Sequence, residues 1–332
     1  MIKGFALGFA ALVMMGLAPA QAQSKSAFSF VALGDTPYFI PEDYAKFDRL
    51  IDAINREKPA FSVHIGDIKA ANAPCSEEIY AKVLSQFARF EGPLLYTPGD
   101  NEWTDCYREK AGGHDPLERL ARLRQLFFAN PTQSLGKMPL SVESQSKAMP
   151  EKFGAYVENQ RFEKNGVLFA TVHIVGSNNN LEARDAKTAM EFFERDAANI
   201  AWIRATFEKA SASGAKAVVL AWQADLWDTR QREPFVPRAS GFLNTIRAVE
   251  RGAKAFGKPV LVVYGDEHVF RVGPFLDTSL KAVPNVTTLQ VMGEHDVHGV
   301  KVGVDPETPG VFSFTPLIVP ENLGRNDKRQ GD

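Results

Sequence analysis

The sequence predicts an α/β domain in which two packed β-sheets have helices on their outer faces. Apolar, strand-like runs alternate with helix-like stretches through most of the chain, and the C-terminal part is rich in strand-like runs. No internal repeat or low-complexity linker divides the 332 residues. A chain of this length can build one large core, so we expect a single domain over residues 23–332.

Strand and helix signals alternate regularly in the first half of the chain. Pro41 begins a predicted helix, and Pro59 ends it. The first half is therefore predicted to contain the strands Phe28–Leu33, Phe61–Ile65 and Leu94–Tyr96 and the helices Glu42–Lys58, Ser76–Phe90 and Pro116–Phe128. Three stretches without such signals are expected to wall a pocket: residues 103–115, 130–152 and 228–240.

The second half begins with a hairpin signal at Lys164-Asn165-Gly166. Apolar residues at helical spacing then predict a long helix. The predicted strands are Ala155–Phe162, Val167–Val175, Ala217–Ala221, Val260–Tyr264, Thr287–Met292, Gly299–Val304 and Val311–Val319, and the predicted helices are Ala186–Ser211 and Gly241–Phe256.

Residues 1–22 have the pattern of a secretory signal peptide. Lys3 precedes the apolar run Phe5–Leu17, and Ala20-Gln21-Ala22 fits the small-x-small cleavage motif. The alternative is a retained membrane anchor, but the run is shorter than the ~20 residues that a spanning helix needs. We expect cleavage after Ala22, no membrane segment in the mature chain, and a periplasmic or secreted protein.

The net charge and the cysteine content limit the kinds of function that the chain can have. The formal net charge is −2, from 38 basic and 40 acidic residues, so the chain has no electrostatic footprint for nucleic acid. Cys75 and Cys106 are the two cysteines, and an even pair in an exported protein indicates a disulfide. The alternative is two free thiols.

Four short turns carry an aspartate directly after a strand-like run. The carboxyl ends of strands in an open α/β sheet face one crevice, so these side chains should meet there. Clustered carboxylates repel one another and raise one another's pKa unless a cation joins them. The sequence therefore predicts a metal site at the turns Gly34-Asp35, Gly66-Asp67, Gly99-Asp100 and Gly265-Asp266.

The order of these turns resembles the calcineurin-like metallophosphoesterases, a family that includes purple acid phosphatases. The family pattern is G-D-x-H, G-D, G-N-H-[ED], a lone His after a strand, and G-H-x-H. The resemblance covers about residues 28–320. It implies a four-layer α-β-β-α sandwich of two mixed sheets with two divalent metal ions.

The resemblance assigns a ligand set to each ion. Asp35 and His268 match ligands of the first metal, and Asp67 matches the aspartate that bridges both. Asp100 stands where the family has a ligand Asn, and Asp266 stands where it has a His. The first ion is expected at Asp35, Asp67 and His268 and the second at Asp67, Asp100 and Asp266, with water completing both shells.

Other family positions are substituted. Asn101 replaces the His that contacts the phosphate; it can donate a hydrogen bond but cannot titrate. In an alternative register, Asn101 is the ligand in place of Asp100. Gln223, after Trp222, stands near the lone His position and is expected to give a weak carbonyl ligand or to be a polar loop residue, and Glu102 is expected to orient ligands.

These replacements enrich the site in carboxylate oxygen at the expense of imidazole. Carboxylates suit Mg, Ca and Mn, whereas imidazole suits Zn and Fe. We therefore expect two divalent ions, Mn or Mg, with Ca, Fe or Zn as the alternatives.

The function implied by the resemblance is that of an exported metal-dependent phosphoesterase. It would hydrolyse a phosphate monoester or diester of a small substrate with a metal-activated water. Because Asn101 cannot protonate a leaving group, we expect slow turnover of poor leaving groups unless His295 or His298 compensates. The alternative is a catalytically silent protein of the same fold that acts as a binding or structural module.

Several further residues are candidates near the crevice. Lys69 and Arg271 flank ligand turns and could contact phosphate. His64 and His173 lie within strand-like runs and are favoured as core residues. The loop that begins at Ser177 is expected either to line the pocket or to be a simple turn.

Overall fold

The computed structural model describes Met1 and residues 24–182, 184–227 and 240–324. The predicted signal peptide lies outside these ranges apart from Met1, as do residues 228–239 of the third expected insertion. None of the helices in the described part of the chain has the length and apolarity that a membrane crossing requires.

One sheet has five strands and carries three helices on its outer face. Its order is β12-β11-β1-β2-β3, in which β1, β2 and β3 are parallel and β11 and β12 are antiparallel to their neighbours. Its elements are β1 (Phe28–Leu33), α1 (Glu42–Glu57), β2 (Ser62–His64), α2 (Glu77–Phe87), β3 (Leu94–Tyr96), α3 (Pro116–Phe127), β11 (Gly299–Val304) and β12 (Phe312–Leu317).

The second sheet has seven strands in the order β4-β5-β6-β7-β8-β10-β9, with β6, β7, β8 and β10 parallel. Two long helices cover it, α7 (Ala186–Ser213) and α8 (Leu243–Phe256). Its strands are β4 (Glu143–Ser144), β5 (Gln160–Lys164), β6 (Val167–Thr171), β7 (Ala217–Ala221), β8 (Val260–Tyr264), β9 (Arg271–Leu276) and β10 (Ala282–Gln290). Short helical turns occur at α4 (Gln145–Ala148), α5 (Pro150–Phe153), α6 (Gly176–Asn179), Thr104–Tyr107, Glu109–Ala111 and Pro320–Asn322.

The two sheets pack face to face, which confirms the predicted four-layer α-β-β-α sandwich. Phe30 and Phe61 from the first sheet meet Phe169 from the second with ring centroids 4.9–5.7 Å apart. Apolar clusters outside each sheet bury the inner faces of the helices, with Phe47 of α1 in one and Trp202 of α7 in the other. Each sheet is therefore apolar on both faces, as a buried parallel sheet must be.

The structure differs from the predicted elements in a few places. The strand β9 was not predicted, because Gly273-Pro274 within it has the composition of a turn. The stretch 130–152, which has no strand or helix signal in the sequence, contains β4, α4 and most of α5. The predicted strand at 155–162 begins at Gln160, and its hairpin partner ends at Thr171.

Candidate metal centre

The predicted acidic turns converge at the carboxyl ends of the parallel strands. Asp35, Asp67 and Asp100 follow β1, β2 and β3 of the first sheet, and Asp266 and His268 follow β8 of the second. The packing of the two sheets brings the five side chains together. They form two groups whose possible ligand atoms lie within 4.8 Å of one another, Asp35–Asp67–His268 and Asp67–Asp100–Asp266.

Glycines allow the acidic turns to approach so closely. A Cβ on Gly99 would lie 2.0 Å from Asp67 Oδ1, and one on Gly265 would lie 2.2 Å from Asp35 Oδ2. Asp35 and Asp67 have φ values of 49° and 54°, in the left-handed region that most residues avoid. The sequence Gly-Asp at these turns thus gives one residue with no Cβ and one short polar residue that tolerates the conformation.

The donor atoms fit a bound cation. Asp35 Oδ2, Asp100 Oδ1 and His268 Nε2 are buried and have no hydrogen-bond partner among the described residues. Buried polar atoms are normally paired, so three orphans in one cluster need an explanation. A cation would serve carboxylate oxygens and an imidazole nitrogen alike. The residues of both groups therefore suit a divalent ion, and most of their possible ligand atoms are oxygens.

The acidic groups are electrostatically unfavourable without a cation. Burial raises the pKa of Asp35 to about 7 and that of Asp266 to about 6. Burial also raises the pKa of Asp67 and Asp100 well above 3.8, and Asp100 and Asp105 respectively add to the effect. Desolvation and like charge disfavour the ionised carboxylates, and a metal ion would reverse both penalties.

The acidic neighbours of His268 favour its charged form, whereas they disfavour the charged form of one another. Burial alone lowers the pKa of this imidazole, but Glu294 and Asp35 outweigh burial and raise it to about 9. Its Nε2 lies 3.6 Å from Asp35 Oδ1, and its Nδ1 lies 3.5 Å from Glu294 Oε2. The His268 ring therefore lies between Asp35 and the carboxylate of Glu294, which follows β10.

Two amide side chains donate to the acid shared by both groups. Nδ2 of Asn101 lies 3.0 Å from Asp67 Oδ2, and Nε2 of Gln223 lies 3.1 Å from the same oxygen. Gln223 also donates to Asp266 Oδ1, while its carbonyl oxygen accepts from the Gly176 N–H. In this orientation the Gln223 carbonyl, expected as a weak ligand, faces Gly176 and not the acids.

Glu102 supports the turn and does not reach the other acids by hydrogen bonds. Its Oε1 accepts from the Tyr96 hydroxyl at 2.8 Å and from the Gly99 N–H at 2.7 Å. The carboxylate is fully buried, and Oε2 has no hydrogen-bond partner among the described residues. Glu102 thus fixes the conformation of the residues that present Asp100 and Asn101.

Among the described residues, three that contact the acids or His268 were not among the predicted site residues. Ser177 Oγ donates to Asp100 Oδ2 at 2.8 Å, and the Asp225 N–H donates to Asp266 Oδ2 at 3.0 Å. The third is Glu294, beside His268. Ser177 lies in the loop already singled out in the sequence. Glu294 follows β10 as the other acids follow their strands, and that position is the signal that could have identified it.

The remaining candidates have different surroundings. Lys69 is fully buried, its ammonium donates to the Ala70 carbonyl, and burial lowers its pKa to about 8. Arg271 begins β9, where it is exposed. His64 and His173 are fully buried, as expected for core residues.

The late histidines also differ from each other. His298 is buried, and its Nδ1 accepts from the Val319 N–H, which is a structural role. His295 Nε2 lies 3.4 Å from Glu294 Oε1, and its ring stacks on Phe39. Glu294 thus lies between His295 and His268, and it connects His295 with the acidic groups.

The predicted disulfide is present. Cys75 and Cys106 are bonded, with their Cα atoms 5.8 Å apart. Sγ of Cys75 lies 3.7 Å, and Sγ of Cys106 3.9 Å, from the carbonyl oxygen of Asn101. The bridge therefore lies directly behind the turn that presents Asp100.

No protein-family model and no curated protein sequence matches the chain. Among solved structures it is similar to GAP50, the anchor in the inner membrane complex of Plasmodium, at 11% identity over 89% of this chain and 90% of that one, with a TM-score of 0.47. A dimetal phosphatase from Danio rerio shows 10% identity over 88% and 98%, with a TM-score of 0.48.

The purple acid phosphatase PPD1 from yellow lupin, Lupinus luteus, is a third structural neighbour. It shows 14% identity over 93% of this chain and 57% of its own, with a TM-score of 0.46. Likeness at this level carries no conclusion about activity.

Proposed function

We propose that this chain is an exported, metal-dependent phosphoesterase that hydrolyses a phosphate monoester or diester of a small molecule. The observation that supports the proposal is the pair of acidic groups that share Asp67. A shared carboxylate between two ligand sets is the arrangement that a two-metal hydrolase needs. The orphaned buried atoms of Asp35, Asp100 and His268 support the same assignment.

The ligands favour hard divalent ions. Asp35, Asp67 and His268 would hold one ion, and Asp67, Asp100 and Asp266 would hold the other. The two groups together contain four carboxylates and one imidazole, and this composition favours Mn or Mg. Two such ions, when bound, lower the pKa of a water molecule and offset negative charge on phosphoryl oxygens.

The chain's own polar groups would orient the acids and the ester. The amides of Asn101 and Gln223 hold Asp67 from one side, and the Ser177 hydroxyl holds Asp100. Asn101 could donate to a phosphoryl oxygen, but it cannot give a proton to the leaving group. The site is therefore suited to esters whose leaving group departs without protonation.

Export is supported by two features. The bridge between Cys75 and Cys106 is typical of proteins that fold outside the reducing cytosol. Residues 1–22 have the sequence pattern of a cleaved signal peptide. Both point to a periplasmic or secreted location.

A second candidate is a catalytically silent binding module. The observation that favours it is the loss of titratable groups at Asn101 and Pro37, which stand at the His positions of the family patterns G-N-H-[ED] and G-D-x-H. Such a protein would keep the metal-binding acids but show no turnover. Metal binding alone does not separate the two candidates.

The test is hydrolysis of bis-nitrophenyl and mono-nitrophenyl phosphate by residues 23–332, stripped of metal and resupplied with Mn, Mg, Ca or Zn. Asp67→Asn is the test variant, and Asp52→Asn, on an exposed part of α1, is the matched control. Turnover that needs Mn or Mg and is lost only in Asp67→Asn supports the proposal. Turnover with Zn alone contradicts the metal assignment, and no turnover with any ion favours the silent module.

A further inference from the structure

The loop that follows β10 packs closely against the turn that presents Asp35. The Glu294 N–H donates to the Asp35 carbonyl oxygen at 2.8 Å. A Cβ on the preceding Gly293 would lie 2.2 Å from Asp35 Cβ, so no larger residue fits this approach. Glu294 itself has a φ of 53°. These constraints fix the backbone of Glu294 beside the first acidic group.

The carboxylate of Glu294 lies between two imidazoles. Its Oε2 is 3.5 Å from His268 Nδ1, and its Oε1 is 3.4 Å from His295 Nε2. The opposite nitrogen of His268, Nε2, lies 3.6 Å from Asp35 Oδ1, where it is buried and has no hydrogen-bond partner within the part of the chain that the structure describes. The His268 ring thus has one nitrogen toward Glu294 and the other toward the acids. The Tyr38 ring packs edge-on against it, with centroids 5.0 Å apart.

We infer that Glu294 is a positioning residue for the metal centre: it holds the His268 ring so that Nε2 is presented to the first ion. Histidines that bind metals usually direct their other nitrogen to a carboxylate or carbonyl, which fixes the ring and strengthens the ligand. The carboxylate of Glu294 has this position relative to Nδ1 of His268. The inference rests on the metal centre of the proposed function and not on hydrolysis.

A competing explanation is that Glu294 adds only negative charge near a cation. Glu267 provides a matched control, because it is adjacent to His268 and its charge acts on Asp266. Glu267→Gln and Glu294→Gln each remove one negative charge from the same region. Of these two carboxylates, Glu294 is the one that lies 3.5 Å from the Nδ1 atom of His268.

The experiment is calorimetric titration of metal-stripped protein with Mn²⁺, for the parent and the variants Glu294→Ala, Glu294→Gln and Glu267→Gln. We expect Glu294→Ala to weaken one of two sites by about 10–100-fold. Glu294→Gln keeps an acceptor oxygen and should recover part of the loss, while Glu267→Gln should change affinity by less than about fivefold. Equal losses in Glu294→Ala and Glu267→Gln, or no loss in Glu294→Ala, would overturn the inference.

A spectroscopic readout makes the test independent of small changes in stability. Imidazole ¹⁵N NMR of the protein loaded with Zn²⁺, as a diamagnetic probe, identifies the nitrogen of His268 that binds metal. We expect Nε2 ligation in the parent and mixed Nδ1 and Nε2 ligation in Glu294→Ala. Nδ1 ligation in the parent would overturn the inference.

The outcomes separate the two proposals. A parent protein that binds Mn²⁺ but hydrolyses neither nitrophenyl ester loses the proposed activity and leaves the role of Glu294 intact. A parent that binds no metal contradicts both.

Discussion

At the scale of single residues, the site combines features that oppose stability. Asp35, Asp67, Asp266 and His268 have positive φ values between 49° and 75°, and the first three have raised pKa values because they are buried together. Strained backbone of this kind concentrates at functional sites, where the surrounding structure enforces it. The close approach of Gly99 to Asp67 shows how the surrounding structure does so.

Gly99→Ala should displace Asp67 and weaken both metal sites. The new Cβ would lie 2.0 Å from Asp67 Oδ1 and 2.6 Å from Asp67 N, so the backbone must shift. We expect Mn²⁺ affinity to fall by about tenfold or more. The free energy of unfolding should fall by about 1–3 kcal/mol in denaturant melts. The control is Gly310→Ala, because its new Cβ would have no atom of the described residues within 4 Å and should change neither quantity. An unchanged affinity in Gly99→Ala would show that Asp67 is not a ligand in its present position.

Asn101→His tests the missing proton donor. The amide nitrogen of Asn101 lies 3.0 Å from Asp67 Oδ2, so an imidazole there would lie beside the acid that the two proposed ions share. Steady-state kinetics should show kcat rising by ~10²-fold on alkyl phosphates, because a positioned acid contributes at least that much when the leaving group is poor. Nitrophenyl phosphates should gain far less, and Asn101→Gln should give no gain on either. Equal gains on both substrates would contradict the leaving-group argument.

At the scale of elements, the loops after the strands are cross-linked. The disulfide joins the segment after β2 to the segment after β3, and both sulfurs lie against the Asn101 carbonyl. On the opposite side, Arg195 of α7 donates to Asn179 and to the His173 carbonyl, which holds the loop that carries Ser177. Elements from both sheets thus fix the position of Asp100.

Removal of the disulfide in Cys75→Ala/Cys106→Ala should affect both stability and metal binding. The bridge spans 31 residues, and a loop of about this length contributes about 4 kcal/mol in the chain-entropy model. Denaturant melts in EDTA should show a loss of that order. Mn²⁺ titration should show weaker binding at the Asp100 site than at the Asp35 site. An equal loss at both sites would show that the bridge acts on the whole fold and not on its own loop.

Local sequence signals predicted the individual strands, helices and turns better than they predicted which of these lie next to one another. The turns of Asp35, Asp67 and Asp266 were predictable because Gly-Asp follows each strand at the same place. The strand β9 was missed because Pro274 and Gly273 read as a turn, while its pairing with β10 is a long-range interaction. The contact of Glu294 with His268 depends on β10 lying parallel to β8, which no local pattern reveals.

At the scale of the whole molecule, two sheets must pack before the site exists. Asp35, Asp67 and Asp100 belong to one sheet, and Asp266 and His268 belong to the other. The sandwich class could be predicted from the alternation of strands and helices. The orientation of Gln223 could not, because it depends on the Gly176 N–H that packing brings to its carbonyl. A metal ion bound at the junction of the sheets would therefore couple metal binding to folding.

The metal-free protein should lose stability as pH rises. The pKa of Asp35 is raised from 3.8 to about 7 and that of Asp266 to about 6, so the unfolded chain ionises first and the folded state is penalised between pH 4 and 7. His268, with its pKa raised from 6.5 to about 9, stabilises the fold below pH 6.5, and this contribution is lost as pH rises through 9.

Denaturant melts in EDTA at pH 5 and pH 8 test this dependence. We expect the free energy of unfolding to fall by roughly 3–6 kcal/mol between them. Asp35→Asn should reduce that fall, and saturating Mn²⁺ should offset it at pH 8, because only ionised carboxylates bind the metal. A metal-free protein that is more stable at pH 8 than at pH 5 would contradict the electrostatic account.

Crystals grown with Mn²⁺ would show whether two ions share Asp67. Anomalous scattering near the manganese edge should give two peaks about 3.5–4 Å apart. One peak should lie between Asp35, Asp67 and His268, and the other between Asp67, Asp100 and Asp266. A single peak at saturating Mn²⁺, no peak, or peaks away from Asp67 would contradict the two-metal account.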